Sequence, residues 1–517
     1  MPNPPQPWDV PPPEHRPLPG NPYATEGHRP PVPPGPNRRF GKVLVIAAVV
    51  VLPALVAGAG VYAVADGGWG GSAAPVAKET PHPSATPTGP RTPAAPTSEA
   101  KRIPTSKEIN AGREPGDATA WVVDDRTDLP RRSIKVYDLW IAGDVAVQAV
   151  HRKVTAHRLS DGVEVWSVPL PAPVCETPVD PTPDGKVVLV YKSTQARSGN
   201  RCNQLQMIDL RSGKAGWHRE LTETGSSDDT IIVNTAISGD VVAVTQSMRA
   251  AAYRVGDGTR LYDILGEKTG NCYPDDVAGG SRLLVSSDCA IDVDRGKNYS
   301  QLREIDPRTG KVRWRFRTEQ GWKVGRVLSV DPVVLTMLHA EERTDNWRIV
   351  ALGPGGKVRT TIDPRPKGFT YCADTGEPGE NIQNCPGTAV GKDAVHLGGT
   401  NQVGAYDLDT GKLAWGVKSE GSTLFPLHAE SDSTGLVYEA PTLSRPGRII
   451  RFGPGGVDTD EQVLRHPESA RATEYPMLAG HLGYANGRIV ITPATVSGDD
   501  AQHGAAMLSF APAPPSP

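Results

Sequence analysis

One phrase recurs along most of this chain: Asp-x-x-Thr/Ser-Gly-x-x-x-Trp. It is clean at 209–217, 306–314 and 407–415. Looser copies end at Trp166 and Tyr262, and Gly-Pro-Gly-Gly turns surround Gly356 and Gly456. The glycines that align are Gly162, Gly213, Gly258, Gly310, Gly356, Gly411 and Gly456, each 45 to 55 residues after the one before. A fixed period of that length, written in turn residues and β-branched runs, signals radial or solenoid repetition. Few architectures satisfy it.

A second landmark opens each unit. It is a Gly beside a polar residue just ahead of an apolar run, as at Gly143, Gly185, Gly239, Gly391 and Gly487. Gly143 to Gly162 and Gly239 to Gly258 are both 19 residues, and Gly391 to Gly411 is 20. One unit is therefore predicted to run strand, Gly turn, strand, short connection, strand, Gly turn, and a last strand bearing the aromatic. Alternation at Val145, Val147 and Ala149 predicts half-buried antiparallel strands. In the turn phrase the Asp side chain caps the bend, and Gly supplies the positive φ of a tight hairpin. Four residues on, Trp166, Trp217, Tyr262, Trp314 and Trp415 fall on the last strand. There they fill the space between neighbouring sheets rather than stack on a ligand.

Four-stranded units of this length set around an axis make an all-β propeller. Its closure is predicted from both chain ends. Apolar runs at 488–494 and 505–511 are too short for a whole unit, and 118–124 (ATAWVVD) stands alone before the first one. Pairing them completes a composite closing blade and leaves no bare edge. The reading is eight blades, with seven as the alternative.

The DLxTGKxxW phrase and its upstream Gly-Asp turn resemble the repeat of the quinoprotein-type (PQQ-like) β-propeller family, over roughly 118–512. That family includes quinoprotein alcohol dehydrogenases and a bacterial outer-membrane assembly lipoprotein. The resemblance implies the fold, whereas function resides in sites grafted on it. For the enzymes it also implies a disulfide between adjacent cysteines against the quinone, a calcium ion and a catalytic Asp. Here the closest cysteines, Cys372 and Cys385, are 13 residues apart, and no residue matches the calcium-ligand or catalytic motifs. Accordingly no catalytic, cofactor-binding or metal-binding residue is assigned, and neither PQQ nor calcium is expected.

Ahead of the repeats the composition changes. Residues 1–42 read as a Pro-rich disordered tail, with 15 prolines in the first 37 residues and no apolar periodicity. Segments such as PPPEHRPLPG suit a partner that binds polyproline. Arg38, Arg39 and Lys42 then precede 43–65, an uncharged stretch of 23 residues long enough for one transmembrane helix. Pro53 is tolerable there as a kink. A cleaved signal peptide is disfavoured because the apolar stretch is long and starts late. The basic flank predicts a cytoplasmic N-terminus and an extracytoplasmic remainder on a single-pass anchor. Residues 66–112, rich in Gly, Ala, Pro, Thr and Ser, read as a flexible stalk; 113–512 as the propeller; and 513–517 as a short disordered tail. The overall usage looks like that of an actinobacterium, a cell type without the outer-membrane machinery that the related lipoprotein serves.

Cys175, Cys202, Cys272, Cys289, Cys372 and Cys385 all lie in the part placed outside. An even count there fits three disulfides. Repeat geometry favours nearest-neighbour pairing, 175–202, 272–289 and 372–385, all on the face that carries the links between units. Arg152, Arg201, Arg249 and Arg445 fall in or near turns between second and third strands on that same face. They form a candidate basic rim toward an acidic wall polymer or partner, although turn polarity alone also accounts for them. The acidic stretch 288–298 lacks the EF-hand spacing. His428 near Glu430 and Asp432 is a set of loop residues that needs no acid–base role. There is no paired metal-binding His spacing, GxSxG elbow or phosphate-binding glycine loop. A net charge of −3 with 22% charged residues, well mixed, argues against nucleic acid as a partner. The expectation is a membrane-anchored, extracytoplasmic, non-catalytic binding or scaffold module at the bacterial cell envelope. Its partner would be an envelope protein or cell-wall polymer. The alternatives are a sensory ectodomain and a PQQ-dependent oxidoreductase.

Overall fold

The computed structural model describes residues 102–514, apart from 125–128, 195–200, 223–229, 375–380, 384, 432–433, 455–460, 479 and 500–503. The expected tail and membrane helix, most of the expected stalk, and the Gly456 turn lie outside the described residues. Among those described, no helix is long and apolar enough to cross a membrane.

The β-branched runs pair with their neighbours in sequence, because tight turns offer those partners first. Four antiparallel sheets hold four strands each, spanning 174–220, 235–265, 272–317 and 322–362. The 134–169 sheet adds a fifth strand, Thr495–Val496, beside its first. The 388–465 sheet has six strands, and its long strand Leu413–Ala429 runs on from one repeat into the next. The closing sheet joins the chain ends: Leu482–Ala485, Arg488–Ile491, Met507–Ala511 and the N-terminal Thr119–Val123. In it Thr119 sits opposite Ala511 and Val123 opposite Met507.

Burial follows position in the ring. Last strands such as Lys214–Glu220 are mostly exposed, whereas Val241–Gln246 is buried throughout. The half-buried expectation for 145–150 is corrected: Val145–Val150 is buried at its first five positions, Gln148 included. Radial stacking sets a neighbouring sheet against each face, so no face of a second strand meets water.

Neighbouring sheets lock through an aromatic laid on a glycine. Trp121 covers Gly162, Trp166 covers Gly213, Trp217 covers Gly258, Tyr262 covers Gly310 and Trp314 covers Gly356. A Cβ at any of these glycines would lie 2.4–2.8 Å from the ring atoms. Their φ angles are 69–75°, left-handed. Glycine is thus required twice, by conformation and by space. In three of these pairs the polar atom of the ring reaches the carbonyl three residues before that glycine. Trp121 Nε1 donates to Leu159 O (2.8 Å), Trp217 Nε1 to Val255 O (2.7 Å) and Tyr262 Oη to Pro307 O (2.8 Å). Where the unit carries Thr360 instead, Gly411 packs on that threonine. Trp415 is buried edge-on against His396, 5.7 Å between ring centroids.

The turn Asp works as a cap. Asp306 Oδ1 accepts from Arg308 N (3.2 Å) and Thr309 N (2.9 Å), and Asp407 Oδ1 from Asp409 N (2.9 Å) and Thr410 N (2.7 Å). These bonds hold both carboxyls below their ordinary pKa, for Asp306 with the Arg313 guanidinium as the largest cause.

The end of the expected stalk is corrected. Residues 106–111 form the helix Ser106–Ala111, opened by a Thr105–Glu108 capping box. A helix of six residues is not stable alone; Ile109, fully buried in the closing core, docks it. Its polar side chains cover the outer edge of the closing strand. Asn110 exchanges hydrogen bonds with Ala120 (2.6 and 2.9 Å), and Ser106 Oγ accepts from Val122 N (3.0 Å). That edge offers no ladder for another chain to join.

The aromatic–glycine lock can be separated from backbone strain. Gly213→Ala should cost on the order of 3 kcal/mol, because it adds a clash with Trp166 to the left-handed strain. Gly143 has φ +67° and nothing within 4 Å of its Cβ position. Gly143→Ala should therefore cost only about 1 kcal/mol. Denaturant midpoints of the two variants read the difference, and equal losses would exclude the lock.

Candidate functional site

The two ends of the ring differ in chemistry. One carries the Gly turns between first and second strands and the Asp-Gly turns between third and fourth. It is polar and self-paired, as in Arg158–Asp161 and Arg254–Asp257, both at 2.8 Å. The other, the linker end, carries the connections between sheets and the turns between second and third strands. Most of the large apolar side chains exposed among the described residues are found there. Ile231 and Ile232 precede the 235–265 sheet, Met248 sits in its middle turn, and Leu265 ends it. Ile291 and fully exposed Val293 rise from the middle connection of the next sheet. Leu443 and Tyr475 stand on connections further round. Val165 and Val358, by contrast, lie on outer strands, and Val163 stands in the turn just before one.

All three disulfides form with the nearest-neighbour pairing and sit at the linker end: Cys175–Cys202, Cys272–Cys289 and Cys372–Cys385. Their spans of 27, 17 and 13 residues each correspond to about 3 kcal/mol in the chain-entropy account. They stiffen connections that the aromatic–glycine lock does not reach.

The ring axis is the other concentration of polar groups. Innermost strands place Asp138, Glu176 and Asp276 where each loses water, with Asp180 and Asp275 beside them. Burial is the largest cause raising each of these carboxyls. Asp276 is pushed up to about 8, and Glu176 is held well above its ordinary value by burial and then by Asp138 and Asp276. Asp180 and Asp275 keep contact with water while protein surrounds them, as groups lining a narrow axis do. Residues 381–383 cross this axis. Asn381 Nδ2 donates to Thr235 O (2.7 Å) and Glu176 Oε1 (3.4 Å). Gln383 exchanges hydrogen bonds with the backbone of Gly279 (2.7 and 3.1 Å), and Val327 N donates to Ile382 O (2.9 Å). The segment thus touches the first strands of four sheets, and Cys372–Cys385 anchors it.

Residues 108–271 match the family described as outer membrane protein assembly factor BamB. The chain carries the PQQ-like propeller repeat. Solved structures similar to it include BamB from Moraxella catarrhalis, 16% identical over 74% of this chain and 96% of that one, with a TM-score of 0.43. Quinohemoprotein alcohol dehydrogenase from Comamonas testosteroni is 12% identical over 77% and 78%, with a TM-score of 0.45. The computationally designed Ika8 protein is 13% identical over 74% and 98%, with a TM-score of 0.44. No curated protein matches the chain.

The four arginines read as a rim all lie at the linker end, on four different sheets. Three bind their own surroundings. Arg152 donates to Leu170 O (3.4 Å) and Pro171 O (2.6 Å), Arg249 to Thr222 O, and Arg445 to Ser422 Oγ (3.3 Å). Arg201 accepts Ser193 N at its carbonyl (2.8 Å). The 272–317 and 322–362 sheets interrupt the row between Arg249 and Arg445. In 288–298 the acids bond within their neighbourhood: Asp292 with Lys297 (3.1 Å), Asp294 with Gly296 N (3.0 Å) and Asp288 with Ser300 Oγ (3.0 Å). Glu430 pairs with Arg451 (2.7 Å), and Asp432 lies outside the described residues. Among the described residues no group of three or more His, Cys, Asp or Glu is placed to hold a metal ion.

Sequence reasoning missed the axial carboxylates and the exposed apolar group. For the first a signal existed: an acidic residue recurs in the opening strand of three units, at Asp138, Glu176 and Asp276.

Raised carboxyls give a pH dependence of definite sign. Between about pH 4, where an unfolded Asp titrates, and about 8, where Asp276 does, the native ring binds more protons than the unfolded chain. Stability therefore falls as pH rises through that window. The caps with lowered pKa, Asp306 and Asp407, act below it. Asp276→Asn should flatten the decline by on the order of 2 kcal/mol between pH 5 and 8. Thermal unfolding across pH checks this, and an unchanged slope would place the Asp276 carboxylate in ordinary water.

Proposed function

We propose that this chain is a non-catalytic binding module: a membrane-anchored, extracytoplasmic propeller of eight blades that engages an envelope protein through its linker end. The observation that carries the reading is the set Ile231, Ile232, Met248, Leu265, Ile291 and Val293, exposed on two adjacent sheets at one end of the ring. Soluble surfaces rarely gather that much apolar area without a partner. The description of the matching family as an assembly factor points the same way. The uncharged stretch 43–65 with its basic flank supports the anchor, and three disulfides support an oxidising compartment. Eight blades follow if the six-stranded sheet is counted as two repeats joined through Leu413–Ala429. We assign no quinone or calcium. The donors that a cation would need are not gathered among the described residues, and the amides of Asn381 and Gln383 are bonded to backbone carbonyls around the axis.

Photo-cross-linking in intact cells tests the surface. A reactive residue at position 293 should trap a discrete envelope protein, and one at 165, on an outer strand, should not. Adding Ile232→Ser and Met248→Ser should reduce the product at least about fivefold, the effect of losing buried apolar anchors. Equal trapping from both positions would remove the linker end as the working surface.

A further inference from the structure

The seam between the closing sheet and the 134–169 sheet is packed along most of its length by Trp121, Val123, Ala146, Val490 and Met507. At the linker end it opens into a cavity of about 390 Å³. Such a volume accommodates a small molecule. Its lining is part apolar, with Leu129, Val150, Leu170 and Val496, and part polar, with Gln148, His151, Arg152, Lys153 and Thr155.

Gln148 is the anomaly. It lies five residues after Gly143, where the next two units have Val190 after Gly185 and Val244 after Gly239, both fully buried. Gln148 is only 4% exposed, and its Oε1 has no hydrogen-bond partner among the described residues. An unmet buried acceptor is destabilising, so the unit has exchanged a valine for a liability at a place where the seam gapes. A hydroxyl or amide proton brought by a ligand would satisfy it.

Charge identifies the rest of that ligand. Arg152 spends its hydrogen bonds on the neutral carbonyls of Leu170 and Pro171, which fix the guanidinium without cancelling its charge. Lys153 stands beside it, 3.8 Å from Glu164. His151 is held below its ordinary pKa, first by burial and then by the charges of Arg152 and Arg132.

We propose that this seam cavity binds a small hydroxy-carboxylate of the sugar-acid class. Its carboxylate lies toward Arg152 and Lys153, a hydroxyl donates to Gln148 Oε1, and its carbon skeleton rests on Val150, Leu170 and Val496. The same chemistry is offered by a free sugar acid and by the end residue of an acidic polysaccharide. The site is separate from the apolar group of the linker end and stands or falls independently of it.

The test is titration calorimetry on the purified full-length chain with D-glucuronate, D-glucose and a short oligogalacturonate. D-Glucuronate should bind saturably and at least tenfold more tightly than D-glucose. Gln148→Val, which restores the residue of the neighbouring units, should lower that affinity at least tenfold while leaving the melting temperature unchanged or higher. Arg152→Lys should retain more affinity than Arg152→Gln. An oligomer that binds as well as the monomer assigns the site to polymer ends, and a preference for the monomer assigns it to a free acid. Absence of saturable binding by both acids, equal affinity for glucose and glucuronate, or unchanged affinity in a folded Gln148→Val variant would each overturn the proposal.

Discussion

The pairing of Thr119–Val123 with Met507–Ala511 is the contact on which the ring depends. Each sheet buries both faces of its middle strands, so none is complete without two neighbours. Were the ends unpaired, the 134–169 sheet would lose the Trp121 that covers Gly162, and the 388–465 sheet would lose its packing against Phe510. Closure is also the most expensive contact to form, because it joins segments as much as 392 residues apart. The structure reinforces it with buried polar groups that tolerate only one arrangement. The fully buried Glu474 carboxylate accepts from Tyr438 Oη (2.7 Å) and bonds His466 Nδ1 (2.7 Å), and His466 stacks on Phe510 with ring centroids 3.7 Å apart. Separating its members would leave buried polar groups without partners, which favours the register that brings them together.

The aromatic–glycine lock explains why the ends of the ring have different freedoms. It ties the turn end of most sheets to the next through a glycine and a ring, in three cases with a carbonyl in fixed spacing. Little can vary there, and the Asp caps and ion pairs neutralise what remains. Linker-end connections meet no such requirement. They differ in length, carry exposed apolar residues, and are held by disulfides where regular packing ends. Variation concentrates at the end that the fold leaves unconstrained, and binding surfaces are built from loops of this kind on rigid scaffolds.

What could be read from the residues follows the same division. The period, the turn caps, the positive φ of Gly213 and Gly310, the packing role of Trp217 and Trp314, and the closing strand at 118–124 are encoded locally, so spacing alone exposes them. The docked helix at 106–111 was not legible, because its stability comes from Ile109 and from hydrogen bonds to a strand edge that exists only once the ring is closed. The second strands were read as half-buried because alternation of Val and Ala resembles alternation of burial. The axis escaped because its members come from four units and a distant connection, and Asn381 has no local sign that it will meet Glu176. The arginines were placed at the correct end, but spacing cannot show that Arg152 and Arg249 are bonded to nearby carbonyls.

The axis also shows which surfaces have unmet bonding capacity. Two ionised carboxylates in a space this poor in water would cost several kcal/mol each, whereas a neutral carboxyl facing an amide costs little beyond an ordinary hydrogen bond. Glu176 and Asp276 are raised accordingly, and the crossing segment brings the amides of Asn381 and Gln383 rather than a second charge. That arrangement knits four sheets at the centre. The linker-end apolar group and the seam beside Gln148 are the opposite case, each presenting atoms whose preferred neighbours the chain does not supply. Unmet bonding capacity in this ring is thus found at its linker end and at one seam.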